Sequence, residues 1–420
     1  MFTTRRTFLR SAALNLATVA WPAWMPRMSF APRHTAPRGD VLICVFLRGA
    51  ADVLNIVVPH GEEEYYRLRP TLAIPRPDDG RVRAGLRSFD LDGFFGLHPA
   101  LASLAPAWQE QRLAFVHACG APDESRSHFQ AMELMERGVT AAPGPASGWI
   151  GRHLAALDTG SRSPLRAIGL GVRVQRSLQG AIPATALRSI ADFHLGGDAQ
   201  IVARMQSALA ALYNGGDPLD GAGRETLAVL DTIEALDPAA YQPASGARYP
   251  ESDFGMGLRQ VAMLIKAEVG LEVACLDVGG WDTHIAQGAC EGWMAGLLAD
   301  LGAGLAALHA DLRDHFDRLL VVTMSEFGRR AQENGGLGTD HGHGSMMLLM
   351  GGGVLGGRVH GRWPGLAPEQ LVGPGDLAVT SDYRDILGEI VHKRLKNPNL
   401  EEVFPEYTPV FREVVRSAVG

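Results

Sequence analysis

Apolar runs of strand length punctuate this chain at Val41–Leu47, Leu113–Cys119, Ala167–Leu170, Val273–Val278, Leu319–Met324 and Met346–Met350. Most are continuous rather than alternating, the pattern of strands buried on both faces. Between them, helical spacing of apolar residues covers Pro99–Gln111, Ser127–Glu136, Trp149–Leu157, Ala199–Tyr213, Glu225–Leu236, Gly257–Val269, Glu291–Leu312 and Tyr383–Lys396. Strand and helix in alternation predict an α/β fold with a mainly parallel sheet sandwiched by helices. Pro, Gly and Ser cluster at Ala141–Gly148, Asn214–Gly223 and Asp237–Phe254, and a helical insertion over about 198–269 is expected at one edge of the sheet. Candidate site residues run from Asp52 to His341, so the strands are expected to share one sheet in a single domain over 39–420.

The ends of two apolar runs carry most of the candidate chemistry. Leu319–Met324 leads into Ser325–Arg329 (Ser-Glu-Phe-Gly-Arg), followed by Gly338–Gly344 (Gly-Thr-Asp-His-Gly-His-Gly). Val273–Val278 leads into Gly279–His284 (Gly-Gly-Trp-Asp-Thr-His). Open α/β sheets bind ligands beyond the carboxyl ends of their strands, and mixed oxygen and nitrogen donors suit zinc or manganese. Asp282 and His284 form one candidate ligand pair, with Asp277 as an alternative carboxylate. His341 is the favoured ligand of the later loop, with Asp340 and His343 beside it. Glu326 reads as a ligand of a second ion, as a group orienting an imidazole, or as a structural partner of Arg329 or Arg330. Asp52 either reaches the same edge or caps a helix, and Arg48 is placed to bind an anion or a carboxylate. Ser127 reads as a nucleophile at a helix N-terminus or as that helix's N-cap, and His128 as a ligand or pocket wall. His98 and His117 read as packing residues.

Thr4–Arg10 (Thr-Arg-Arg-Thr-Phe-Leu-Arg) matches the twin-arginine export pattern. The apolar segment behind it, Ala12–Trp24, is too short and too interrupted by Asn15 and Pro22 to span a bilayer. Residues 1–38 are therefore expected to be a signal peptide and linker, read by the twin-arginine machinery, with the rest periplasmic or secreted. A formal charge of −7 without a basic stripe argues against nucleic acid, and no other segment is expected to cross a membrane. Four cysteines without a CxxC pair give no thiol site. The chain also lacks a G-x-S-x-G elbow, a Walker A loop and a G-x-G-x-x-G fingerprint.

Taken together, Val45–Gly49 with Asp52, Tyr65–Ile74, Leu97–Leu101, Arg126–Phe129, Gly279–His284, Thr323–Arg329, Gly338–Gly342 and Thr380–Arg384 form a wider pattern. On these segments the chain resembles a bacterial exported family catalogued as domain of unknown function 1501. That family is placed with alkaline phosphatases and sulfatases, so the resemblance implies an alkaline phosphatase-like α/β sandwich and, in active members, a divalent-metal hydrolase. Asp282 and His284 resemble the superfamily's Asp…His metal pair, and Thr339–Gly342 the later loop that donates another histidine. Ser325–Gly328 occupies the place of its Ser-Asp-His-Gly turn, but Glu326 and Phe327 replace the Asp-His and remove one ligand. Arg48 stands where the first strand commonly ends in aspartate, and Ala50 and Val53 where the family more often has glycine.

The expected function is an exported metal-dependent hydrolase of phosphate or sulfate esters, acting on a small anionic substrate. One or two divalent ions, zinc or manganese, would be held among Asp282, His284, His341, Glu326, Asp52 and Asp340. Ser127 or water would attack, with Arg48 or Arg329 on the developing charge. The rivals are an alkaline phosphatase-like fold that binds or assembles without catalysis, and a metal-free serine hydrolase built on Ser127.

Overall fold

The computed structural model describes residues 39–418 except 142–143, 158, 162, 183, 188–189, 191–194, 196–197 and 237. The expected leader, residues 1–38, lies outside the described residues. Two compact units divide the chain, the smaller built around residues 191–238 and the larger holding 34–190 and 239–420.

The larger unit is organised by a nine-stranded sheet. Its strands are β1 (Val41–Leu47), β2 (Leu113–Gly120), β3 (Ala167–Leu170), β4 (Thr185–Leu187), β5 (Val273–Val278), β6 (Leu319–Met324), β7 (Ser345–Gly351), β8 (Arg358–His360) and β9 (Ser381–Asp382). They lie in the order β8-β2-β7-β6-β1-β5-β3-β4, with β9 also paired to β2. Every pairing is parallel except those of β7, which runs against both β2 and β6. The reason is local: the segment from Ser325 to Gly344 folds back at the same edge without a crossover helix, so the next strand must return antiparallel.

All residues of β1, β2, β6 and β7 are buried, so both faces of the sheet are covered. On one face Leu42, Cys44, Val116, Val322 and Leu349 meet the helices α1 (His128–Arg137), α2 (Trp149–Ala156) and α7 (Tyr383–Lys393) through Met135, Trp149, Ile386 and Ile390. On the other, α5 (Asp253–Lys266) lies against Leu276 and Leu170 at Gly257, and α6 (Trp293–Asp311) rests its Gly304 on Phe254 and Leu258 of α5. α6 corrects the expectation that no segment after the leader is apolar enough to cross a membrane, because its length and composition qualify. It packs here as a core helix. A second sheet of three two-residue strands, Val57–Val58, Phe89–Asp90 and Gly96–Leu97, stands beside the first.

The smaller unit contains α3 (Ala199–Leu212) and α4 (Pro218–Leu236), joined side by side where the Gln206 amide donates to Asp231 and Glu234. The helical stretch expected over 198–269 therefore divides, with α5 belonging to the larger unit.

Registers set the stage for the site. Leu47 pairs with Val278, and Phe46 with Met324, so β5, β1 and β6 end almost level. The loops that follow, carrying Asp282, Arg48 to Asp52, and Glu326, emerge next to each other at the carboxyl edge.

Candidate metal centre

Four loops meet at this edge, and His341 Nε2 lies close to the Nε2 atoms of both His128 and His284. His341 Nε2 lies 2.9 Å from His128 Nε2 and 2.9 Å from His284 Nε2. Asp282 Oδ1 completes the cluster at 3.2 Å from His341, 3.1 Å from His284 and 3.5 Å from His128. Ligand atoms each about 2.0–2.2 Å from one ion stand about 3 to 3.5 Å apart, a spacing that His128, Asp282 and His341 meet together.

The far nitrogen of each ring is pinned by an oxygen. His128 Nδ1 meets Glu326 Oε1 at 2.7 Å, His284 Nδ1 meets Asp340 Oδ1 at 3.0 Å, and His341 Nδ1 meets the Arg126 carbonyl at 3.0 Å. A carbonyl only accepts, and the Asp340 carboxyl is held below its usual range by the Asn334 amide and then His284. His341 Nδ1 donates to the Arg126 carbonyl, and a neutral ring whose Nδ1 donates keeps its lone pair on Nε2. A cation set among His128, Asp282 and His341 would be met by one ligand atom from each. Metal-binding imidazoles are held in this way, through the ring nitrogen remote from the ion.

Charge at the centre follows from the surroundings. Burial works to raise the Asp282 carboxyl, but Arg329, with help from His341 and His128, holds it at about 2. Burial pushes His341 down, against the pull of Asp282. The neighbouring His343 is also lowered, chiefly by burial, and it does not join the cluster. Phe327 supplies an apolar wall, its ring 5.0 Å from that of His128 and 5.1 Å from that of His341.

The remaining candidate residues fall into distinct places. Glu326 accepts from the Gly49 N–H at 2.8 Å and orients His128, so it stands behind the cluster. Asp340 does the same for His284. Arg329 is fully buried, donating to the Gly49, Ala50, Trp281 and Thr339 carbonyls and to Asp282 at 2.6 Å. Arg48 is held by Glu136 at 3.0 Å and by Asp277 at 2.8 Å. Asp52 does not reach the cluster: both its oxygens are taken by Arg69, at 2.6 and 2.9 Å, and Gln287 adds a third bond. Ser127 sits exposed at the N-terminus of α1, next to His128, and its hydroxyl does not cap the helix.

Three supporting residues escaped the sequence reading. Gln287 is buried and accepts from Thr283 and Thr339, each at 2.8 Å, so one amide oxygen ties the Asp282–His284 loop to the Asp340–His341 loop. Asn334 bridges the His284 carbonyl and Asp340. Arg126, whose carbonyl holds His341, is itself gripped by buried Asp376. Their pairing across remote loops leaves no short-range signal. A cavity of about 890 Å³ opens elsewhere, lined by Asp40, Arg112, Asp317 and Arg394, and contains none of these residues.

The fold and cluster define an α/β protein whose strand ends gather three imidazoles and a carboxylate. The chain belongs to the family described as protein of unknown function DUF1501, whose model matches residues 98–396. No curated protein matches it. Among solved structures it is similar to one described as a crystal structure of Ps i-CgsB in complex with k-i-k-neocarrahexaose, at 10% identity and a TM-score of 0.33, over 91% of this chain and 75% of that one. A likeness that low carries no conclusion about this chain.

Proposed function

We propose that the protein is an exported, alkaline phosphatase-like hydrolase of phosphate or sulfate esters that works with one divalent ion, zinc or manganese. The observation that carries this reading is the convergence of His128 Nε2, His341 Nε2 and Asp282 Oδ1, with His284 Nε2 beside His341 and each ring pinned by its Nδ1. Glu326 and Asp340 are occupied with imidazoles and Asp52 with Arg69, which favours one ion over two. A bound divalent ion would supply Lewis acidity to an ester oxygen or to water.

The chain's own groups then have separate tasks. Arg329 fixes Asp282 and keeps it ionised. Glu326 and the Arg126 carbonyl keep His128 and His341 in the tautomer that exposes Nε2. Asp282 is half exposed, so the centre is open to a substrate. Ser127, at the start of a ten-residue helix, is the candidate nucleophile, and water the alternative.

One observation favours a second reading, a binding protein without catalysis. Arg48 and Arg329, expected to stabilise developing charge, are already held by carboxylates and carbonyls. Elemental analysis and an ester panel separate the two. The proposal expects about one divalent ion per chain, lost in an Asp282→Ala/His284→Ala variant, and hydrolysis that stops in chelator and returns with metal. A folded, metal-free protein inert on all esters would support the binder. Full activity in chelator with fluorophosphonate labelling of Ser127 would point to a metal-free serine hydrolase.

A further inference from the structure

Each segment that delivers a histidine to the cluster also presents a large apolar side chain to solvent. Phe129 follows His128 and is 85% exposed; Ile285 follows His284 and is 78% exposed; Leu337 precedes His341 on its loop and is 54% exposed. Single exposed apolar residues are ordinary on a protein surface. Here one directly follows each of two cluster histidines, and another lies four residues before the third.

Ile285 and Leu337 share a local platform. The Ala286 N–H donates to the Gly336 carbonyl and the Gln287 N–H to the Leu337 carbonyl, each at 2.9 Å, and Gly336 lies against the Ile285 side chain. Leu337 has φ +57°, and Ala286 next to Ile285 has φ +48°. Side chains enter this left-handed region only with strain, and such strain collects at functional sites. Leu337 stands between Gly336 and Gly338, in a backbone conformation that glycine would adopt without cost.

We propose that the ester taken at this centre is amphiphilic, its anionic head on the His/Asp cluster and its apolar chain across Phe129, Ile285 and Leu337. This rests on the metal-centre reading above and adds the substrate's other half. An alkyl or aryl group lying on the rim would remove those side chains from water while its head stays at the polar floor.

Titration of the metal-loaded full chain with methyl-, butyl- and octylphosphonate tests it, since these heads bind without turnover. Affinity should rise about two- to fourfold per added methylene along the rim. In Ile285→Ser and Leu337→Gly the rise should flatten, with methylphosphonate affinity and metal content unchanged. A loaded protein that binds all three phosphonates equally overturns the amphiphile and leaves the metal centre standing. A chain that takes up no metal overturns both. The same head could also come from a bilayer, so vesicles containing phosphatidic acid form a second arm. Pelleting with vesicles without any gain from soluble chains would assign the rim to a membrane and overturn the proposal.

Discussion

His284 shows how a single ring is made into a donor. Its Nδ1 faces Asp340, which Asn334 holds in turn, and its Nε2 enters the cluster. Replacing Asp340 by alanine removes that orientation without touching the inward-facing atoms. Metal affinity should fall about 10- to 100-fold, measured by competition with a chelator, while the thermal midpoint of the metal-free protein changes little. An unchanged affinity would show that Asp340 does not set the ring. Asp282 and His284 stand out in the sequence because they follow an apolar run within a few residues, and His341 because it lies in a Gly-rich loop of Asp and His. His128 was harder: it comes from the loop after β2, which β7 separates from β6, yet it meets Glu326 beyond the end of β6. Strand order is not written in local pattern. Arg48 and Asp52 stand at the right edge but are turned into ion pairs, a choice made by Glu136, Asp277 and Arg69 from elsewhere in the chain.

At the scale of elements, the long strands were readable because burial on both faces leaves them uniformly apolar. The two-residue strands at Val57–Val58, Phe89–Asp90 and Gly96–Leu97 were not, since two residues carry no period. α4 begins at Pro218, earlier than the pattern suggested, because Gly221 and Gly223 read as loop yet sit inside the helix behind a proline suited to its first turn. Loop packing depends on close backbone approach: a side chain at Gly328 would overlap the Gly344 carbonyl, and one at Gly338 the His284 carbonyl. Behind these loops, the fully buried Arg69–Asp52 pair joins the segment after β1 to the one carrying Ala331. Arg69→Ala would leave Asp52 buried and unpaired, and should cost about 3–5 kcal/mol in denaturant unfolding. A loss below about 1 kcal/mol would mean that the pair contributes little to holding the loops.

Across the whole molecule, three buried histidines away from the cluster set the acid limit. Burial lowers His98, His117 and His153 to about 4, against an ordinary value of 6.5. A base whose pKa is lower in the folded chain binds fewer protons there than in the unfolded one. Stability is therefore complete above about pH 6.5 and falls as the pH drops towards 4, by on the order of 1.4 kcal/mol per unit for each histidine. Urea unfolding between pH 7 and 4.5 should show that slope, and a flat profile would contradict the burial of these rings as neutral groups. The fold as a whole matched its sequence in class, while the division between units at 191–238 was obscured by continuous helical patterning. All of the functional reading depends on a cation shared by His128, His341 and Asp282. X-ray absorption at the metal edge of the loaded protein tests that most directly. A shell with two imidazole nitrogens and a carboxylate oxygen at about 2.0–2.2 Å, reduced by one imidazole in His128→Ala, is the predicted result; a shell without imidazole, or one unaltered in that variant, would contradict it.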